Sequence, residues 1–218
     1  MKSKENQIDK TITFVKQQLA NAEGGHDWFH IERVYNNALT IAKHENVNVF
    51  VVKLGALLHD IADSKFHNGD EAIGPKIAES FMRSIAIENH VIEHVINIIK
   101  NISFAGGKNP QSFKSPELDV VQDADRLDAI GAIGIARTFN YGGFKNRPLF
   151  DPSIKPNLEM TKAEYKASTA PTINHFYEKL LLLKNKMNTR TGLQMAEERH
   201  AFMEQLLAQF YAEWNGEK

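Results

Sequence analysis

His59 and Asp60 stand side by side in FVVKLGALLHDIADSK, a segment whose residues 50–58 carry a single charge, Lys53. A run this apolar is expected to be buried, and buried ionisable groups are costly unless paired, hydrogen-bonded or bound to a metal. A divalent cation removes that cost, because neutral imidazole nitrogen and carboxylate oxygen are among its usual ligands. Two neighbouring donors do not fill a coordination sphere. His30, in GGHDWFHIERV, and Asp125, in LDVVQDADRLDAIGAIG, are candidates for the rest. Asp125 falls among Leu118, Val120, Val121, Ala124, Leu127 and Ile130, with Asp128 one helical turn later. An ion held by two imidazoles and two carboxylates keeps positions for water and a further ligand, and it acidifies that water toward neutral pH. Oxygen-rich ligation favours Mn²⁺, and Mg²⁺, Fe²⁺, Ni²⁺, Co²⁺ or Zn²⁺ could fill the same site.

The elements that must position these side chains read as helices, because apolar spacing is helical almost throughout. Ile8, Ile12, Val15 and Leu19 mark a first helix ending near Gly24-Gly25. Residues 30–44 form a second, with Ile31, Val34, Ala38, Ile41 and Ala42 inward, and Asn48 is placed to cap a third that runs to about Ile61. Helices over about 71–85 and 89–101 follow, then a polar loop over 103–115, the helix bearing Asp125, and a short helix over 130–139. From about 140 to 157 the chain is rich in Gly, Pro, Asn and aromatic residues (YGGFKNRPLFDPSIKPN), which suggests an ordered functional loop or lid. Two long helices, about 162–187 and 191–214, have apolar stripes suited to packing back on the core. The expectation is one all-α domain over residues 1–218, with a metal-binding core at about 20–140 and a loop and C-terminal helices at about 141–218.

Composition limits the partners. A formal net charge of −1 over 218 residues offers no global field for a nucleic-acid duplex or an anionic membrane. Cysteine is absent, which excludes a disulfide framework and thiolate metal sites. The opening MKSKENQIDK lacks the apolar core of a signal peptide, and no apolar run approaches transmembrane length. These features point to a cytoplasmic enzyme with a small-molecule ligand and neither nucleic-acid nor membrane partners, and they leave a homodimer open.

The order His, His-Asp, Asp, with GHDxxHxxRV upstream and DADRLDAIGAIG downstream, resembles the HD-domain metal-dependent phosphohydrolase superfamily. The resemblance implies an HD-domain helical bundle and the ligand set His30, His59, Asp60 and Asp125. Members with two metals carry further histidines on the helix before the last Asp. Here VIEHVINIIKNISF ends in Asn101 and Ser103, with His94 about two turns earlier, so a mononuclear site is expected. YGGF and the tail MNTRTGLQMAEERHAFMEQLLAQFYAEW resemble small bacterial HD hydrolases, the subgroup that includes nucleoside triphosphate pyrophosphohydrolases. The implied reaction splits a nucleoside or deoxynucleoside triphosphate into monophosphate and pyrophosphate. The alternatives are a 5′-nucleotidase, a phosphodiesterase or a non-catalytic nucleotide sensor.

Around the ligands, Lys65 could neutralise a phosphate oxygen and Asp63 could accept a proton from the attacking water. Asp128 could orient a ligand or that water. His26 could contact a phosphate or simply pack, and Asp27 could cap its helix or orient an imidazole. Tyr141, Lys145 and Arg147 combine an aromatic surface with positive charge, suited to stacking a base and holding a polyphosphate. Phe144 and Phe150 are expected to staple their loop to the core, and Arg126 to form a salt bridge. Arg190 or Arg199 could reach a distal phosphate if, as the resemblance implies, the last helices close over the cleft.

Overall fold

The computed structural model describes residues 3–20, 27–61, 72–102 and 112–218. Gly24-Gly25, His26, Asp63, Lys65 and most of the expected 103–115 loop lie outside them. Regular structure among the described residues is helical, as the all-α reading requires, and no helix there is long and apolar enough to cross a membrane. The chain divides into two compact units, Met1–Asp125 and Arg126–Lys218.

The first unit contains α1 (Lys4–Gln18), α2 (Trp28–Ala42), α3 (Val49–Leu58), α4 (Ile73–Ser84), α5 (Asn89–Asn101) and most of α6 (Pro116–Asp128). Its centre is α3. Val51, Val52, Leu54, Ala56, Leu57 and Leu58 are each no more than 2% exposed, so this helix must be apolar around most of its circumference, with the charge of Lys53 on its part-exposed side. Asn48 caps it, its side chain accepting the N–H groups of Phe50 and Val51. Gly55 brings α3 close to its neighbours: a Cβ there would stand 3.3 Å from side-chain carbons of both Ile98 on α5 and Val121 on α6. The inward stripe of α2 is Ile31, Val34, Ala38, Ile41 and Ala42, the set read from the spacing.

The second unit contains the end of α6, α7 (Gly131–Phe144), α8 (Lys162–Ala167), α9 (Asn174–Glu178), a 3₁₀ helix (Leu180–Lys186) and α10 (Arg190–Trp214). It departs from expectation in three places. First, α7 continues through YGGF instead of ending at Phe139. Gly142 is there for close approach, since a Cβ would lie 2.2 Å from Thr172 Oγ1. The helix is closed off just beyond Phe144 by Asn146, whose φ of 52° is left-handed; Arg147 N–H bonds Gly142 C=O and Asn146 N–H bonds Gly143 C=O. Second, the helix expected over 162–187 is broken. Pro171 lacks a backbone N–H and disfavours helix at the residue before it. The chain there bonds instead to the segment after α7, Thr172 N–H to Pro148 C=O and Ile173 N–H to Leu149 C=O. Third, only one of the two expected staples forms. Phe150 packs edge-on against Phe210, Tyr211 and Trp214 of α10, whereas Phe144 is 72% exposed beside the Lys145 ammonium.

Two outcomes follow for the second unit. Gly142→Ala is expected to lower unfolding free energy by about 1–3 kcal/mol through overpacking, and adding Thr172→Ala is expected to restore much of it; urea melts that show no such coupling contradict the close approach. Burial, reinforced by Lys179 and Arg147, pushes the His175 imidazole down from 6.5 to about 3. The folded chain therefore refuses a proton that the unfolded chain accepts below about 6.5, and this costs stability as pH falls from there toward 3. The stability difference between wild type and His175→Gln should shrink over that range, and a constant difference contradicts it.

Candidate metal centre

Three helix ends in the first unit bring four side chains together. His30 sits in the first turn of α2, where Asp27 Oδ1 accepts its backbone N–H at 3.0 Å, so Asp27 takes the capping role. His59 and Asp60 follow directly on the last residue of α3. Asp125 lies in the last turn of α6. One ligand atom each from His30, His59 and Asp60 lie within 4.8 Å of one another. Asp125 stands outside that tightest trio, yet its Oδ1 is 3.6 Å from His30 Nε2 and 3.9 Å from His59 Nε2. Donors about 2.1 Å from a common ion are about 3 Å apart at a right angle and about 4.2 Å apart across it. Both distances fall between these limits. The two imidazoles meet edge to face, with centroids 5.4 Å apart.

The hydrogen bonding of His59 tests whether a cation fits. Its Nδ1–H donates to the Ala56 carbonyl at 2.9 Å, which assigns the ring proton and leaves a lone pair on Nε2. That Nε2 is buried and has no hydrogen-bond partner among the described residues. A buried polar atom without a partner is costly, and a divalent cation suits a bare imidazole nitrogen facing a carboxylate. The donor set therefore fits such an ion. The imidazole side chains are 4% exposed and Asp125 is 38% exposed, so the cluster meets solvent on the Asp125 side. Asn37 Nδ2 donates to Ala124 C=O at 3.4 Å, tying α2 to α6 beside Asp125.

Other residues singled out by the sequence are placed less uniformly. Asp128 is 1% exposed and ion-paired with Arg137, which also donates to the Asp128 carbonyl. Arg199 donates to Leu127 C=O at 2.5 Å, and its stem crosses Gly131, whose φ is +72°. Burial lowers the pKa of the Arg199 guanidinium, with Asp128 and Glu198 opposing that shift. Arg199 is thus engaged at the end of α6. Arg126 donates to the carbonyl of Lys186. His94 contacts Ser115 and Glu117, and Asn101 bonds Ser112 and the Asn97 carbonyl; neither joins the four-residue group. Tyr141, Lys145 and Arg147 gather at the end of α7, both cations within 6 Å of the Tyr141 ring, and Arg190 begins α10 with its side chain exposed. Sequence reasoning missed Glu117, a buried carboxylate in the first turn of α6; its only local signal was the Ser115-Pro116-Glu117 helix start.

Comparison with known proteins bears on the same residues. Residues 28–130, which contain all four, match the HD domain. The uncharacterized Bacillus subtilis protein YpgQ is 36% identical over 206 residues, 93% of this chain and 91% of YpgQ. A crystal structure of an HD-superfamily hydrolase from Bacillus thuringiensis is 45% identical, with a TM-score of 0.79 over 98% of this chain and 99% of that one. The crystal structure of YpgQ in complex with ADP is 35% identical, with a TM-score of 0.77 over 96% of each chain.

Binding of an ion to the folded state alone raises the melting temperature. At a hundredfold excess over the dissociation constant, Mn²⁺ should raise that of the wild type by roughly 5–10 °C and leave Asp60→Ala unmoved in calorimetry. An equal rise in both proteins contradicts this centre.

Proposed function

Because the chain belongs to the HD superfamily of hydrolases, we propose that it is a metal-dependent phosphohydrolase that splits a nucleoside or deoxynucleoside triphosphate into monophosphate and pyrophosphate. The observation that carries this reading is the buried His59 Nε2, without a hydrogen-bond partner among the described residues and grouped with His30, Asp60 and Asp125. The ADP complex of YpgQ supports a nucleotide as the ligand class. When bound, a divalent ion supplies Lewis-acid polarisation of a phosphate oxygen and acidifies a water.

In this reading His30, His59, Asp60 and Asp125 hold one ion, Mn²⁺ by the character of the donors. The Ala56 carbonyl keeps the proton of the neutral His59 tautomer on Nδ1, which leaves Nε2 as the atom that would face the ion. Lys65 neutralises a phosphate oxygen, Asp63 takes the proton of the attacking water, and His26 contacts a phosphate. Tyr141 stacks on the base, while Lys145, Arg147 and Arg190 hold the polyphosphate. Asp128, buried against Arg137, orients the end of α6 that carries Asp125.

Phosphorus NMR of a nucleoside triphosphate turned over with Mn²⁺ tests the reading. Pyrophosphate and nucleoside monophosphate are expected in equal amounts; orthophosphate as the sole phosphate product contradicts it and favours a nucleotidase. Asp60→Ala should lower kcat/KM by about 10²- to 10³-fold, the loss of several kcal/mol of charge stabilisation.

A further inference from the structure

The two helices that carry three of the four proposed ligands start at one buried carboxylate. Glu117 is 8% exposed. One oxygen, Oε1, accepts the backbone N–H of Asn48 at 2.8 Å, and Asn48 is the residue that caps α3. The other, Oε2, lies 3.4 Å from His94 Nε2 on α5, and that nitrogen is 2.9 Å from Ser115 Oγ. Ser115 Oγ accepts the Leu118 N–H at 3.1 Å and so caps α6. A single side chain therefore joins the starts of α3 and α6 to the body of α5.

From this junction both helices run toward the metal centre. About 12 Å of helix separates Glu117 from Asp125, and about 16 Å separates Asn48 from His59. At the far end His59 Nε2 and Asp125 Oδ1 are 3.9 Å apart. Midway, the absent side chain of Gly55 lets α3 lie directly on Val121 of α6. Apolar contact in the middle holds the helices together but does not by itself set their register, because packing is not directional. The Glu117–Asn48 bond is directional. Metal–ligand distances tolerate only about 0.2 Å, so a small slide of α6 along α3 moves Asp125 out of reach of an ion held by His59 and Asp60. Buried charge is seldom retained for stability alone, since an apolar group of similar volume often does as well.

We infer that Glu117 is a positioning residue for the metal centre, setting the register of α6 against α3 and hence the distance of Asp125 from His59 and Asp60. The inference rests on the metal-site reading above. The test is a Mn²⁺ titration followed by the electron paramagnetic resonance of free Mn²⁺. It compares wild type, Glu117→Ala, Glu117→Gln and Ile8→Val, the last a core truncation on α1, which carries no ligand. Glu117→Ala should raise the Mn²⁺ dissociation constant about tenfold, the lower end for residues that act through a ligand. In Glu117→Gln an amide oxygen can still accept the Asn48 N–H, so affinity should stay within about threefold of wild type. Ile8→Val should bind as wild type does. In the metal-free proteins, the His59 ring nitrogen resonances should shift in Glu117→Ala and hold still in Ile8→Val. Should Glu117→Ala not fold, Glu117→Asp carries the test: it keeps the charge on a shorter stem and should bind Mn²⁺ more weakly than Glu117→Gln. Wild-type affinity in the Ala or Asp variant, or equal loss in Gln and Ala, overturns the inference. A wild type that takes up no Mn²⁺ overturns the underlying metal site instead.

Discussion

A buried imidazole nitrogen that lies beside carboxylates and finds no hydrogen-bond partner among the described residues is the constraint on which the first unit is organised. His59 arrives at that position because the second half of α3, Leu54 to Leu58, is buried all round and must occupy the centre of its unit, so whatever follows Leu58 begins from the interior. The Ala56 carbonyl then takes the Nδ1 proton and turns Nε2 toward His30, Asp60 and Asp125. Two carboxylates brought this close to one another and to the bare His59 Nε2 are costly to hold in low dielectric. A cation converts each of these unfavourable neighbours into a ligand.

Holding four donors within a few tenths of an ångström is a demand on helix ends, which are the least rigid parts of helices. The first unit meets it with polar contacts placed beside apolar packing. Asp27 caps α2 at His30, Asn37 ties α2 to the carbonyl before Asp125, and Asn48 and Ser115 cap α3 and α6. The last turns of α6 are secured separately in the second unit, where Arg137 pairs with Asp128 and Arg199 takes the Leu127 carbonyl. Cations at a helix C-terminus also oppose its dipole, so these arginines stabilise α6 electrostatically as well as geometrically.

Much of this was legible because the signals were local. The Asn48 cap, the bounds of α5 at 89–101, the inward stripe of α2 and the His59-Asp60 pair at the end of an apolar run are each written within a few residues of one another. What was misread depended on partners distant in sequence. Gly142-Gly143 suggests a loop until Thr172 is seen occupying the space a Cβ would need. Glu117 looks like an ordinary acid in the first turn of a helix, since its partner Asn48 lies far back in the chain. Pro171 is the exception: its signal is local, and the apolar stripe on either side of it obscured a predictable break.

The most direct measurement is anomalous diffraction at the manganese edge from crystals grown with Mn²⁺. A single peak about 2.1–2.3 Å from His30 Nε2, His59 Nε2 and carboxylate oxygens of Asp60 and Asp125 is the expected result. An absence of any peak among those side chains, with manganese in excess, contradicts the account at its root.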